Sequence, residues 1–367
     1  MRCLFVQSDI SISNAPIRNA IDAAGRWLLH SGIQSPGGGV ARFCQLDAGG
    51  NRAVSNEITG YTASAYAFLF QATGESQYRD AALRTARFLT RQAWRPDLGT
   101  FPFENSSPVA PAYFFDCGII VRGLLAVHRL SGDDEFLAVA QQAARGMARD
   151  FLTPTAIHPI VELPSGRAVP YEPRWSREPG CFLLKAALAW HQLGGEFEPY
   201  FETALAQATA SWPHFLPGGV AVDIENMNRL HAFSYFLEAL LFVASRPGVA
   251  DVIRQGLARA TAIRESLSPR FARSDVYAQL LRVRVWAETH AGLAVDGSLA
   301  EAEFNTLMSF RDFRPDPRAE GGFYFGRRDG APMPFANPVS TAFCLQAVSM
   351  YGDWKSGKAL PALESLI

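Results

Sequence analysis

Cysteine, net charge and long apolar runs are all scarce in this 367-residue chain, and each scarcity removes a class of function. The five cysteines (Cys3, Cys44, Cys117, Cys181, Cys344) are odd in number and lack the Cys-x-x-Cys spacing of zinc and redox centres. Reduced thiols in a cytosolic protein are therefore expected. Basic and acidic residues number 34 and 35, a formal charge of -1, so the strongly basic surface that favours nucleic acid is missing. The first residues hold only the short apolar run Leu4-Phe5-Val6, and no later run is long enough to span a bilayer, so no membrane insertion is expected. No pair of histidines has the spacing of a metal site, and Gly37-Gly38-Gly39 opens no phosphate-binding turn; neither metal nor cofactor is expected.

What the chain has is apolar residues, 48% of the total with 12% aromatics, enough to bury a large core. It also has a repeat. Gly60 is followed by Gly74, Gly118 by Gly132 and Gly180 by Gly194, each pair fourteen residues apart with an apolar segment between. An acidic residue stands just ahead of each first glycine: Glu57, Asp116 and Glu178. Ser234 before Gly248, Ala278 before Gly292 and Pro338 before Gly352 keep the same interval. Repetition at a fixed interval dictates architecture before any single motif does.

Apolar periodicity predicts twelve helices. The first spans about 16–32 with Asn14 as its cap, and the next three span 59–73, 78–94 and 117–130. The fifth follows the Ser131-Gly132-Asp133 turn, its Phe136, Ala140, Ala144 and Met147 falling where Tyr78, Ala82, Ala86 and Leu89 fell in the third. Then come 180–193, 199–212, 231–244, 249–266, 275–290, 299–311 and 338–351. Short turns alternate with long loops, so each even-numbered helix lies antiparallel to its odd-numbered successor. Even-numbered helices are apolar nearly all round, as in Tyr66-Ala67-Phe68-Leu69-Phe70, and the odd-numbered ones carry charge on one side. That pattern suits a closed ring of six hairpins, an all-α (α/α)6 toroid with short β-hairpins in its mouth loops. One domain is expected over 1–367, with 1–13 as an N-terminal extension.

Glu57-Ile58-Thr59-Gly60-Tyr61, Phe115-Asp116-Cys117-Gly118 with Arg122-Gly123-Leu124-Leu125, and His231 with Tyr235-Phe236-Leu237-Glu238-Ala239-Leu240 resemble the six-hairpin glycosidase-like superfamily, nearest to helical-repeat proteins of bacterial polysaccharide metabolism. The resemblance covers nearly the whole chain as a pattern. It implies a substrate cleft at the mouth where inner helices begin. It does not fix the chemistry, because the superfamily includes hydrolases, lyases and epimerases.

Aligning the repeats puts Glu57, Asp116, Glu178, His231, Asp275 and Asn337 near the starts of the six inner helices. Packed helices lie roughly 8 to 10 Å apart, so adjacent carboxylates fall in the range of about 5 to 10 Å used by paired-carboxylate glycoside hydrolysis. Glu57 and Asp116 are the leading acid–base pair, with Glu178 and His231 as competing catalytic candidates. Helix capping alone also explains polar residues at helix starts, although Glu and His are weaker caps than Asp or Ser. Carboxylates on either side, Glu178 and Asp275, are expected to favour a protonated His231. The mouth supplies stacking and anion-gripping candidates for a sugar or oligosaccharide ligand: Tyr61, Phe103, Tyr113, Arg174, Trp175, Arg177, Arg273, Asp275, Phe325 and Asn337. Phe323 and Phe325 are equally readable as hairpin packing. Cys117 and Cys181 sit near helix starts, where a thiolate is favoured. Three readings stay open: a glycoside hydrolase-like enzyme of polysaccharide biosynthesis, a non-catalytic glycan-binding component, and a sugar epimerase, lyase or cyclase.

Overall fold

The computed structural model describes residues 15–47, 49–105, 110–216, 224–312 and 316–367. The expected extension 1–13, the Asn14 cap and Cys3 lie outside the described residues. Helices alternate along the chain: α1 (Ala15–His30), α2 (Asn56–Thr73), α3 (Ser76–Phe88), α4 (Phe114–Ser131), α5 (Asp134–Phe151) and α6 (Leu184–Leu193). The second half continues with α7 (Glu198–Phe215), α8 (Ile224–Leu240), α9 (Val249–Leu267), α10 (Ser274–Ala291), α11 (Gly297–Met308) and α12 (Pro338–Lys355). The even-numbered helices pack in sequence order, and α12 returns to pack on α2, closing the ring; α1 lies against α12 and completes the sixth hairpin. This is the (α/α)6 toroid.

Inner and outer helices differ as their sequences require. Every residue of α12 from Pro338 to Asp353 is buried, because an inner helix has neighbours on all sides. Outer α5 buries one stripe, Phe136, Val139, Ala140, Ala143, Ala144 and Met147, at helical spacing, and leaves Arg145 exposed. Glycine performs two jobs. At Gly74 and Gly132 it takes a left-handed φ of 74° and 71°, ending α2 and α4 and reversing the chain in two residues. At Gly60 and Gly118 it lets backbones touch. A Cβ on Gly60 would lie 2.9 Å from the Ile120 Cα, and one on Gly118 would lie 2.6 Å from the Ala186 Cβ.

The long loops collect at the end where inner helices begin. There β1 (Val40–Ala41) pairs with β4 (Val54–Ser55), and β2 (Cys44–Gln45) lies between β3 (Gly50–Asn51) and β10 (Phe335–Ala336). β5 (Ala112–Tyr113) pairs with β6 (Ile160–Val161), and β7 (Phe271–Arg273), β8 (Gly326–Arg328) and β9 (Ala331–Pro332) make a three-stranded sheet. These pairs tie loops to helix starts: Thr59 Oγ1 of α2 accepts from the Val40 N–H at 2.9 Å. The boundaries depart from expectation at two places. α8 begins at Ile224, two turns ahead of His231, so that histidine is not at a helix start. α12 runs through Gly352, which serves a close approach to Ile17 of α1 rather than a stop.

Candidate active site

Side chains three or four residues apart share a helix face, so the inner helices face the axis in successive levels. At the mouth stand Glu57 (α2), Asp116 (α4), His231 (α8) and Asp275 (α10). One turn deeper are Tyr61, Tyr235, Gln279 and Phe343. A further turn down lie Arg122, Lys185, Glu238, Arg282 and Gln346.

Glu57 and Asp116 are brought together. They occupy the first turns of α2 and α4, the two helices drawn close at Gly60. Burial pushes the Glu57 carboxyl up to about 7, with the Arg42 guanidinium pulling the other way. Burial and then the Glu57 charge push Asp116 well above the ordinary carboxylate range. Two neighbouring acids, little water and one shared arginine make simultaneous ionisation costly. Arg42 itself is held 3.1 Å from Glu104, with its guanidinium 4.6 Å from the centre of the Phe103 ring. Phe103 meets Tyr113 at 4.9 Å, and Tyr113 lies within the fields of Asp116, Arg177, Arg174 and Arg42. Phe103, Tyr113, Arg174 and Arg177 thus gather beside the acid pair, and Trp175 stands edge-on to Phe182 at 5.3 Å.

The opposite wall is built differently. Arg273 grips Asp275 with Nε to Oδ1 at 3.0 Å and Nη2 to Oδ2 at 2.6 Å, reaches Asn228 at 2.7 Å and lies over Phe325 at 4.5 Å. Burial alone would raise Asp275, but Arg273 and His231 outweigh it and hold the acid below its ordinary value. The expected protonated His231 is overturned: burial and then Arg273 lower its pKa to about 4, outweighing Asp275 at 3.7 Å. Its Nδ1 stands 2.8 Å from Gln279 Oε1, which assigns the proton to Nδ1 and leaves Nε2 an acceptor.

Three further expectations are corrected. Glu178 is not a neighbour of His231; it stands half exposed on the rim, 3.7 Å from Arg229. Asn337 spends its side-chain oxygen on capping α12, accepting from the Val339 and Ser340 N–H groups at 2.8 and 3.1 Å. Burial pushes the Cys117 thiol up to about 12 and Cys181 well above its ordinary value, so helix starts do not make them thiolates here.

The floor and what lies under it were not singled out from sequence. The Tyr61 ring meets Phe343 at 5.3 Å, and Tyr235 meets Phe343 at 6.2 Å, Phe115 at 4.8 Å and His231 at 4.6 Å. Beneath them Glu238 pairs with Lys185 at 2.9 Å and with Arg282, all three with no solvent exposure. Burial raises the Glu238 pKa, but Arg282 and Lys185 overcome it and keep the carboxylate ionised. Arg122 donates to the Leu366 carbonyl at 2.7 Å and Lys185 to the Ile367 carbonyl at 3.0 Å, closing the cluster from the far end. The signal was available: Arg122, Lys185, Glu238 and Arg282 each interrupt an otherwise apolar helix, and a charge there requires a partner. Arg42, in a loop, carried no such signal.

A cavity of about 430 Å³ lies elsewhere, between α7, Thr155–Ile157 and Pro179–Leu184. Alanine and leucine dominate its lining, which includes no titratable side chain, so it lacks the means for acid–base chemistry. Among the described residues no three His, Cys, Asp or Glu side chains stand close enough to hold a metal ion, and no helix is long and apolar enough to cross a membrane.

No family model and no curated protein matches the chain. Solved structures do match along nearly its whole length. A cellobiose 2-epimerase from Spirochaeta thermophila is similar at 14% identity and TM-score 0.70, over 92% of this chain and 97% of that one. A sugar epimerase from a ruminal bacterium is similar at 13% identity and TM-score 0.69, over 94% and 98%. An unsaturated glucuronyl hydrolase specific for heparin is similar at 12% identity and TM-score 0.66, over 93% and 98%. At such low identity the likeness establishes the fold, the six-hairpin glycosidase-like toroid.

Proposed function

We propose that the chain is a carbohydrate-active enzyme that performs acid–base chemistry on a sugar or oligosaccharide held in the mouth. The observation that carries this reading is the coupled pair Glu57–Asp116, both raised above their ordinary values in one partly closed site. Near neutral pH such a pair holds about one proton between two carboxyls, which supplies an acid and a base together. In a hydrolytic reaction the protonated member gives its proton to the bridging oxygen as the C–O bond breaks. The ionised member takes a proton from the attacking water. Phe103 and Tyr113 offer apolar faces to the C–H side of a pyranose, and Arg42, Arg174 and Arg177 suit a ligand with anionic character. The solved structures named as sugar epimerases and a glucuronyl hydrolase support a sugar as the ligand. Four free, buried cysteines accord with a cytoplasmic setting in polysaccharide metabolism.

One observation favours a second reading, epimerisation. A neutral His231 with a free Nε2 is a competent base for removing a proton beside a sugar carbonyl. The two readings separate in one experiment: the protein is incubated with a panel of neutral and uronate-containing oligosaccharides, and products are followed by mass spectrometry and proton NMR. Hydrolysis shows as gain of water across a glycosidic bond; epimerisation leaves mass unchanged and exchanges one C–H in D2O. Asp116→Asn and Glu57→Gln should each cut hydrolysis by at least 100-fold while leaving ligand affinity within a few-fold. Unchanged turnover in both variants would overturn the assignment, and binding without product would replace the enzyme with a glycan-binding protein.

A further inference from the structure

The level below the mouth contains a polar arrangement that acid–base chemistry alone does not explain. Tyr61 is one turn below Glu57 on α2, and Tyr235 is one turn below His231 on α8, three residues ahead of Glu238. Both rings are wedged against Phe343, and Lys185 Nζ lies 6.0 Å from the centre of the Tyr235 ring. Tyr61 is 1% exposed and Tyr235 3%, so neither hydroxyl can turn to water. Burial first, then each other and the charges of Glu57 and Glu238, hold both phenols well above their ordinary value of 10. They are therefore neutral groups, each able to donate one hydrogen bond and accept another.

The Tyr61 hydroxyl faces that of Tyr235 but has no well-aligned hydrogen-bond partner. A buried hydroxyl with no fixed partner, in a wall otherwise made of phenylalanine, is uncommon. Packing would be met as well by phenylalanine at either position. The two oxygens instead stand between an acid that titrates, Glu57 above, and an acid that stays ionised, Glu238 below.

We propose that Tyr235 and Tyr61 are positioning residues for Glu57, a neutral hydrogen-bonding link between the mouth acid and the axial Lys185–Glu238–Arg282 cluster that steadies the Glu57 carboxylate once it loses its proton. The inference rests on the reading of Glu57 as half of the acid–base pair. Its physical basis is separate: a phenol that cannot ionise serves as donor to the nearest carboxylate, and a donor to the charged form lowers that acid's pKa. The groups facing Glu57 are Arg42 from the loop after β1, Asp116 from α4 and Tyr235 from α8, with Tyr61 on its own helix. Arg42 already has a partner in Glu104, and Asp116 repels, which leaves the phenols as the donors not otherwise engaged.

The test follows the Glu57 carboxyl without substrate. The full chain, carrying 13C-labelled glutamate, is titrated by infrared difference spectroscopy, and the Glu57→Gln spectrum identifies the band. Tyr235→Phe should raise the Glu57 midpoint by about one pH unit, and Tyr61→Phe by a smaller amount in the same direction. 3-Fluorotyrosine at position 235, a more acidic phenol and stronger donor, should lower it. Opposite shifts from two near-isosteric changes cannot come from altered packing. A midpoint unmoved in both Phe variants, or moved in the same direction by the fluorinated residue, would overturn the proposal. Circular dichroism on each variant confirms the fold. If no sugar is ever turned over but the midpoints move as stated, the function falls and the link stands; the converse result separates them the other way.

Discussion

Replacing Glu57 by glutamine should stabilise the folded chain at pH 8 and leave it unchanged near pH 4.5. The folded-state carboxyl titrates at about 7, against an ordinary value of 4.5. Between those two pH values the folded chain holds a proton on Glu57 that the unfolded chain has released. Folding therefore takes up a proton there, and stability falls as pH rises from 4.5 to 7 before levelling off. At about 1.4 kcal/mol per pH unit the full difference is about 3 kcal/mol, and partial solvent access to Glu57 reduces it towards about 2. Glutamine copies the protonated acid in shape and charge, so it removes that cost. It also removes the like charge beside Asp116, whose own pKa should fall, which adds to the gain at pH 8. Urea unfolding at pH 4.5 and pH 8, with fluorescence and circular dichroism required to coincide, measures both differences. An equal effect at the two pH values, or a loss of stability at pH 8, would refute the claim that Glu57 is held in an environment hostile to its charge.

Glu238→Gln should be costly at every pH from 5 to 9, by about 3–5 kcal/mol in urea unfolding, because it leaves Lys185 and Arg282 buried without their counter-ion. Gly118→Ala forces α4 away from Ala186 and should lower stability by about 1–3 kcal/mol, read by thermal melting. The imidazole of His231, held at about 4, should give 15N chemical shifts of a neutral ring protonated at Nδ1 throughout pH 5.5 to 8; a midpoint near 6.5 would reverse its assignment as a neutral group.

The ring was legible in the sequence because its physical causes are local and repeated. Gly74 and Gly132 mark where a chain turns back, and the match of Phe136, Ala140, Ala144 and Met147 to Tyr78, Ala82, Ala86 and Leu89 marks a helix face used twice. The position of Glu57 and Asp116 followed from the same repeat. His231 did not, because α8 starts at Ile224 after a connection whose length breaks the repeat, so alignment by the closing glycine put the helix start two turns late. The charge state of His231 was misread for a different reason. Its carboxylate neighbour Asp275 is two residues from Arg273 in sequence, but only the β7-to-α10 turn folds the guanidinium back onto that acid and cancels its pull. Arg42 was invisible for want of any periodic pattern in its loop.

How charges are paired separates scaffold from site more sharply than which residues are charged. Glu238 has two cations and Asp275 has one bidentate arginine, and in both the attraction overcomes burial and leaves a low pKa. Such acids are fixed: they stay ionised over the physiological range and can hold geometry but cannot exchange a proton with a substrate. Glu57 and Asp116 share one guanidinium that is already bound to Glu104, and burial dominates instead. Asp353, also raised, to about 6, sits at the opposite end of α12 and has no acid beside it among the described causes of its shift. Proximity, burial and shortage of counter-charge coincide at the α2–α4 side of the mouth. A network satisfied in full below the floor and left one charge short at the rim is what allows a rigid toroid to keep a mobile proton in one place.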